Sequence, residues 1–166
     1  EAELKARVLP PVLAGKKIAA LAITEPGGGS DVASLGTSAR REGDEFVVNG
    51  EKTFITSGMR ADYYTVAVRT DPDAGGARGI SLLLIERDTP GFTRTLLDKM
   101  GWWASDTAHL RFDGCRVPRA NLIGAPGDGL RILFGSLNLS RPSIAAHALG
   151  IAKAAFGDMV AYMNTR

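Results

Sequence analysis

Cysteine is nearly missing from this 166-residue chain. Cys115 stands alone, which excludes an internal disulfide and fits a bacterial cytoplasm or another reducing compartment. His109 and His147 lie far apart with no cysteine cluster beside them, so no metal site is expected. Charge of one sign is lacking as well: 20 basic against 18 acidic residues leave a net +2 without a basic run, and nucleic-acid binding has no electrostatic support. No apolar run approaches the roughly 20 residues of a membrane span, and the charged opening Glu1-Ala2-Glu3-Leu4-Lys5 does not read as a signal peptide. Neither a G-x-G-x-x-G helix opening nor a Gly-Lys-Ser/Thr P-loop occurs.

What is present suffices for a core, since 45% of the residues are apolar. The pattern divides the chain in three. Residues 1–14 read as the C-terminal end of an N-terminal helical domain, broken by Pro10-Pro11. Residues 15–126 alternate short runs rich in Val, Ile, Leu, Thr and aromatics with turns such as Gly43-Asp44 and Asn49-Gly50, which predicts an antiparallel β-barrel or sandwich. In residues 127–166, Ile144, Ala148, Ala152, Ala155, Met159 and Met163 recur at helical steps, with Pro142 placed to start or kink a helix. Small residues widen this apolar stripe beyond what one β domain covers. The fold expected is therefore mainly β with flanking helices, ending in a long helix of a bundle that lies outside the chain.

Two segments carry the chemistry. In Leu21-Ala22-Ile23-Thr24-Glu25-Pro26-Gly27-Gly28-Gly29-Ser30-Asp31 an apolar strand runs into a glycine-rich turn. Positive φ at its glycines lets a ligand approach the backbone, and consecutive amides there form a nest for phosphate oxygens. After a type I′ hairpin at Asn49-Gly50, alternation puts Phe54 and Thr56 on one strand face and Ile55 on the other. A ring beside a hydroxyl suits a flat heteroaromatic ligand.

Together these segments resemble the acyl-CoA dehydrogenase family, whose middle domain carries Thr-Glu-Pro-Gly-x-Gly-Ser-Asp and then Trp/Phe-Ile-Thr-Asn/Ser. Ala104-Ser105-Asp106-Thr107, Val117-Pro118 and Asn121-Leu122-Ile123-Gly124 match further, in the family's order. The resemblance covers about Leu9 to Arg166, and because complete members are much longer it implies a fragment.

It also implies a function. FAD would accept a hydride from Cβ of an acyl-CoA while a carboxylate removes the Cα proton, giving a trans-2-enoyl-CoA, with electron-transfer flavoprotein as acceptor and a tetramer or dimer as the assembly. Leu21, Ile23, Thr24, Gly29, Ser30, Phe54, Ile55 and Thr56 match flavin contacts; Ser30, Asn138 and Arg141 match contacts to acyl-CoA. Some members place the catalytic glutamate where this chain has Ser140, which cannot act as a base, so the base is expected beyond Arg166. Glu25 and Asp31 read as structural. Asn138 stands where an acidic residue is common, and Trp103 where a basic one is. An acyl-CoA oxidase, a flavin-dependent monooxygenase and a non-catalytic ligand-binding β module share the same pattern.

Overall fold

A computed structural model describes residues 2–166; Glu1, grouped with the opening residues above, lies outside the described residues. Two compact units follow one another, one up to Leu130 and one from Arg131 onward.

In the first unit the elements are α1 (Ala2–Leu13), β1 (Ala19–Ala22), β2 (Ser38–Glu42), β3 (Glu45–Thr56), β4 (Tyr63–Arg69), β5 (Ile80–Glu86), β6 (Phe92–Leu96), β7 (Thr107–Pro118) and β8 (Leu122–Ile123). The strands form a single eight-stranded sheet in the order β6-β7-β3-β2-β4-β5-β8, with β1 added on β4. It is not closed, so of the barrel and the sandwich the sandwich-like arrangement is the one present. The β1–β4 and β2–β4 pairings are parallel and the others antiparallel, which makes the sheet mixed.

Its core is built on β4, β5 and β7. Tyr64 meets Phe92 edge-on at 4.7 Å, and Phe92 stacks on Phe112 at 4.9 Å, among Val48, Val66, Leu83, Ile85 and Leu110. β5 is apolar apart from Ser81 and Glu86 because it is covered on both faces. Leu83 and Ile85 face that core, whereas Leu84 packs against Leu4 and Val8 of α1.

Two local expectations need correction. Helix α1 is not broken at Pro10-Pro11 but ends three residues after Pro10. The prolines occupy its last turn, where their carbonyls still accept from Ala14, Lys16 and Lys17, and Gly15 closes the helix at φ +67°. Asn49-Gly50 is likewise no hairpin turn, since β3 runs through it. The pair forms a register break against β7, with Asn49 Oδ1 accepting the Gly114 amide at 2.8 Å. The hairpin sits earlier, at Gly43-Asp44, where Gly43 takes φ +62°.

The second unit consists of most of α2 (Gly129–Met163), a helix that continues through Pro142. By length and composition alone α2 is long and apolar enough to cross a membrane, despite the absence of a fully uncharged run of that length.

Candidate functional site

The loop after β1 closes on itself, Glu25 and Gly28 exchanging both backbone hydrogen bonds at 3.1 Å. Gly27, Gly28 and Gly29 do not adopt positive φ, so the expected nest is not formed there. Their role is clearance instead. A Cβ on Gly27 or Gly28 would meet nothing, which leaves open backbone for a ligand, while one on Gly29 would lie 3.2 Å from the Thr24 methyl. Leu21, on the outward side of β1, and Ser30 are exposed; Ile23 and Thr24 are half-buried.

At the end of β3 a second register break, between Lys52 and Ile55, turns the chain so that Phe54 takes φ +58°. Its ring is 70% exposed, Thr56 is exposed beside it, and Ile55 is buried. The facing expected from alternation is thus present, although an irregular backbone produces it. Bulges of this kind re-aim side chains at functional sites.

The two segments are joined. The Thr53 amide donates to the Thr24 carbonyl at 2.8 Å, and Lys52 Nζ donates to the Ile23 carbonyl at 2.9 Å and to Glu25 Oε1 at 2.9 Å. Glu25 also accepts the Gly36 and Thr37 amides at 2.6 and 2.8 Å. Burial works against its charge, yet these donors outweigh that and hold its carboxyl below the usual carboxylate range. The opposite holds for Lys52, whose burial lowers its pKa against the pull of Glu25. Glu25 therefore ties strands together, as expected, and Asp31 accepts from Ser34 Oγ at 2.6 Å. Sequence reasoning missed Lys52. Its signal was a cation on the same face of β3 as Val48, where alternation calls for an apolar residue.

The third matched segment closes on the same strand end. Thr56 pairs with Thr107, the Asp106 carbonyl accepts the Ser57 amide at 3.0 Å, and the Asp106 carboxylate takes the Met59 amide at 2.7 Å and Arg60 Nε at 2.5 Å. Just before it Met100, Trp102 and Trp103 stand exposed, while Lys99 Nζ donates to the Trp102 and Ser105 carbonyls. Arg60, Leu96 and Trp103 line a cleft of about 350 Å³ there. A larger cleft, about 640 Å³, lies elsewhere beside α1, and four of its charged lining residues form the Arg7–Glu86 and Lys17–Asp62 pairs.

Within the second unit Arg141 Nη1 donates to Asn138 Oδ1 at 2.8 Å, which engages the two side chains with each other. Ser140 Oγ turns back to the Leu137 carbonyl. Among the described residues no cluster of His, Cys, Asp and Glu could hold a metal. Cys115 is buried, and burial pushes its thiol pKa up, which makes it an inert filler.

Known proteins resemble this chain in sequence and fold. The family model described as acyl-CoA dehydrogenase, middle domain, matches residues 20–115. An acyl-CoA dehydrogenase of Bacillus subtilis is 44% identical over 99% of this chain and 43% of its own length. A chain in the structure of the electron transferring flavoprotein of Acidaminococcus fermentans is 40% identical, with a TM-score of 0.91 over 100% of this chain and 44% of that one. The structure of a glutaryl-coenzyme A dehydrogenase complexed with glutaryl-CoA is 41% identical, with a TM-score of 0.88 over 93% of this chain and 39% of that one. The chain spans less than half the length of these proteins.

Proposed function

The chain belongs to the acyl-CoA dehydrogenase family, and on that premise we propose that it supplies part of the FAD and acyl-CoA site of an enzyme converting an acyl-CoA thioester to the trans-2-enoyl-CoA. The observation that carries this reading is the junction of the Thr24 loop with the Phe54–Thr56 strand end through the Thr53 amide and Lys52. An exposed aromatic face, a neighbouring hydroxyl and open glycine backbone suit a flat ring system with a polar edge.

FAD, when bound, supplies the hydride acceptor. This chain's share is orientation. Leu21 and Ile23 give apolar support, Phe54 lies along the ring, the Thr24 and Thr56 hydroxyls and the Gly29 and Ser30 backbone offer hydrogen bonds, and Ile55, its side chain buried in the core, can serve the flavin only through its backbone. Ser30, Asn138 and Arg141 serve acyl-CoA. The α-proton is too weakly acidic for an unaided carboxylate, so fixed donors must stabilise the enolate oxygen. Glu25, Asp31 and Asp106 are committed to structural hydrogen bonds. Ser140 stands where some family members carry the catalytic glutamate, and by that resemblance the base is expected in a segment outside these 166 residues.

The rest of the reading follows the family. Residues 1–14 end an N-terminal helical domain, 15–126 form the middle domain, and α2 opens a C-terminal bundle through which the protein forms a tetramer or dimer. A bundle helix can be as long and apolar as a membrane span, and the enzyme is cytoplasmic. The acceptor is electron-transfer flavoprotein, consistent with the Acidaminococcus likeness.

The complete gene product, purified and mixed anaerobically with acyl-CoA thioesters of short and long chain, tests this. The expected result is a visible flavin band bleached by at least one thioester, with little peroxide formed in air. Protein without flavin, or a flavin that no thioester bleaches, overturns the proposal; rapid peroxide release replaces the dehydrogenase by an oxidase.

A further inference from the structure

Ile55 and Thr56 are bracketed by two left-handed residues that are not glycine, Phe54 at φ +58° and Ser57 at φ +59°. L-residues leave that region unless their surroundings over-determine it, and such residues concentrate at ligand sites. On the Phe54 side the constraint is the register break of β3. Around Ser57 the constraints converge on Asp106. Its carbonyl holds the Ser57 amide, and its carboxylate, mostly buried, spans the Met59 amide and Arg60 Nε at 2.7 and 2.5 Å. The turn is tightened further by Gly58, where a Cβ would lie 2.6 Å from that of Ala108, and by Tyr64 Oη donating to the Gly58 carbonyl at 2.8 Å.

We propose that Asp106 is a positioning residue of the site: its carboxylate clamps the turn Ser57–Arg60 and thereby fixes the direction in which Phe54 and Thr56 present ring and hydroxyl to the flavin. This rests on the flavin-facing reading of those two side chains. Both carboxylate oxygens receive donors, so an amide in their place would turn its own NH2 toward one of them. Asparagine is therefore a near-isosteric variant that opens the clamp.

In the complete gene product, Asp106→Asn is expected to raise the amide exchange rates of Ser57 and Met59 at least tenfold while the buried Leu83 amide of β5 stays unchanged. It is also expected to weaken FAD binding about tenfold and to shift the visible band of flavin at saturation, a readout that loss of stability alone does not move. Ser57→Gly, added to Asp106→Asn, removes the left-handed penalty and is expected to restore part of the affinity. Arg60→Ala, which takes only the half-exposed guanidinium, serves where Asp106→Asn does not fold, and should shift the band in the same direction by less. FAD binding and flavin band unchanged in every variant would overturn the assignment of Asp106 alone. A parent protein that takes up no FAD would instead overturn the functional reading beneath it.

Discussion

Lys52 Nζ lies 2.9 Å from Glu25 Oε1 with the lysine side chain wholly buried, on the inner face of a strand otherwise lined by Val48 and Ile55. A buried ion pair is tolerated when each charge is also hydrogen-bonded, and the Ile23 carbonyl and the Gly36 and Thr37 amides meet that condition. Breaking it from one side leaves an orphan charge. Glu25→Ala is expected to cost about 3 to 5 kcal/mol in urea unfolding at neutral pH, and adding Lys52→Met should recover part of that loss. A double-variant loss equal to the sum of the Glu25→Ala and Lys52→Met losses would show that the pair is not coupled.

Acid should weaken the fold through the same carboxylates. Glu25 and Asp106 are buried against their charge, but donated hydrogen bonds prevail and depress both folded-state pKa values. The unfolded chain therefore takes up protons first as pH falls, and the stabilisation present above the ordinary values of 4.5 and 3.8 is lost through and below them. Urea midpoints are expected to hold from neutrality to about pH 5 and then decline, with the acid slope reduced in Glu25→Gln by up to about 1.4 kcal/mol per pH unit.

Gly50 offers a packing test independent of charge. It sits at φ +139°, and a Cβ there would lie 2.7 Å from the Thr37 Cα, a backbone atom that cannot swing away. Gly50→Ala should cost at least about 1 to 3 kcal/mol, whereas Asn49→Ala, which loses one hydrogen bond to the Gly114 amide, should cost about 1 kcal/mol by the same unfolding assay.

Phe54 should behave in the opposite way. Its ring is largely exposed, so Phe54→Ala is expected to change stability by no more than about 0.5 kcal/mol. Losing about 1.4 kcal/mol of ring contact would nonetheless weaken FAD about tenfold, which titration of the apoprotein measures. A large stability loss with intact FAD affinity would make Phe54 a packing residue.

The pattern of success along the chain has physical causes. The presence of a glycine-rich loop after β1 was readable because glycine content is a local property, whereas the facing of Phe54 and Thr56 agrees with alternation only through a register break that the sequence does not announce. The Asn49-Gly50 pair misled because a hairpin turn and a β-bulge both call for glycine at positive φ, and only the partner strand β7 distinguishes them. The parallel pairing of β1 with β4 joins Ala19 to Tyr63, a contact no local pattern announces. Lys52 and Asp106 look like ordinary surface charges until the strands that bury them are in place. Open clearance rather than a phosphate nest at Gly27 to Gly29 likewise depended on backbone angles that composition does not determine.

Because the Thr53 amide donates to the Thr24 carbonyl, the Thr24 loop and the Phe54–Thr56 strand end are joined in the folded chain without any ligand. The entropy of bringing them together is thus spent in making the protein, not in capturing its guest. Variants that loosen this splice should show their effect chiefly as shorter residence of the bound molecule, with the rate of capture little altered.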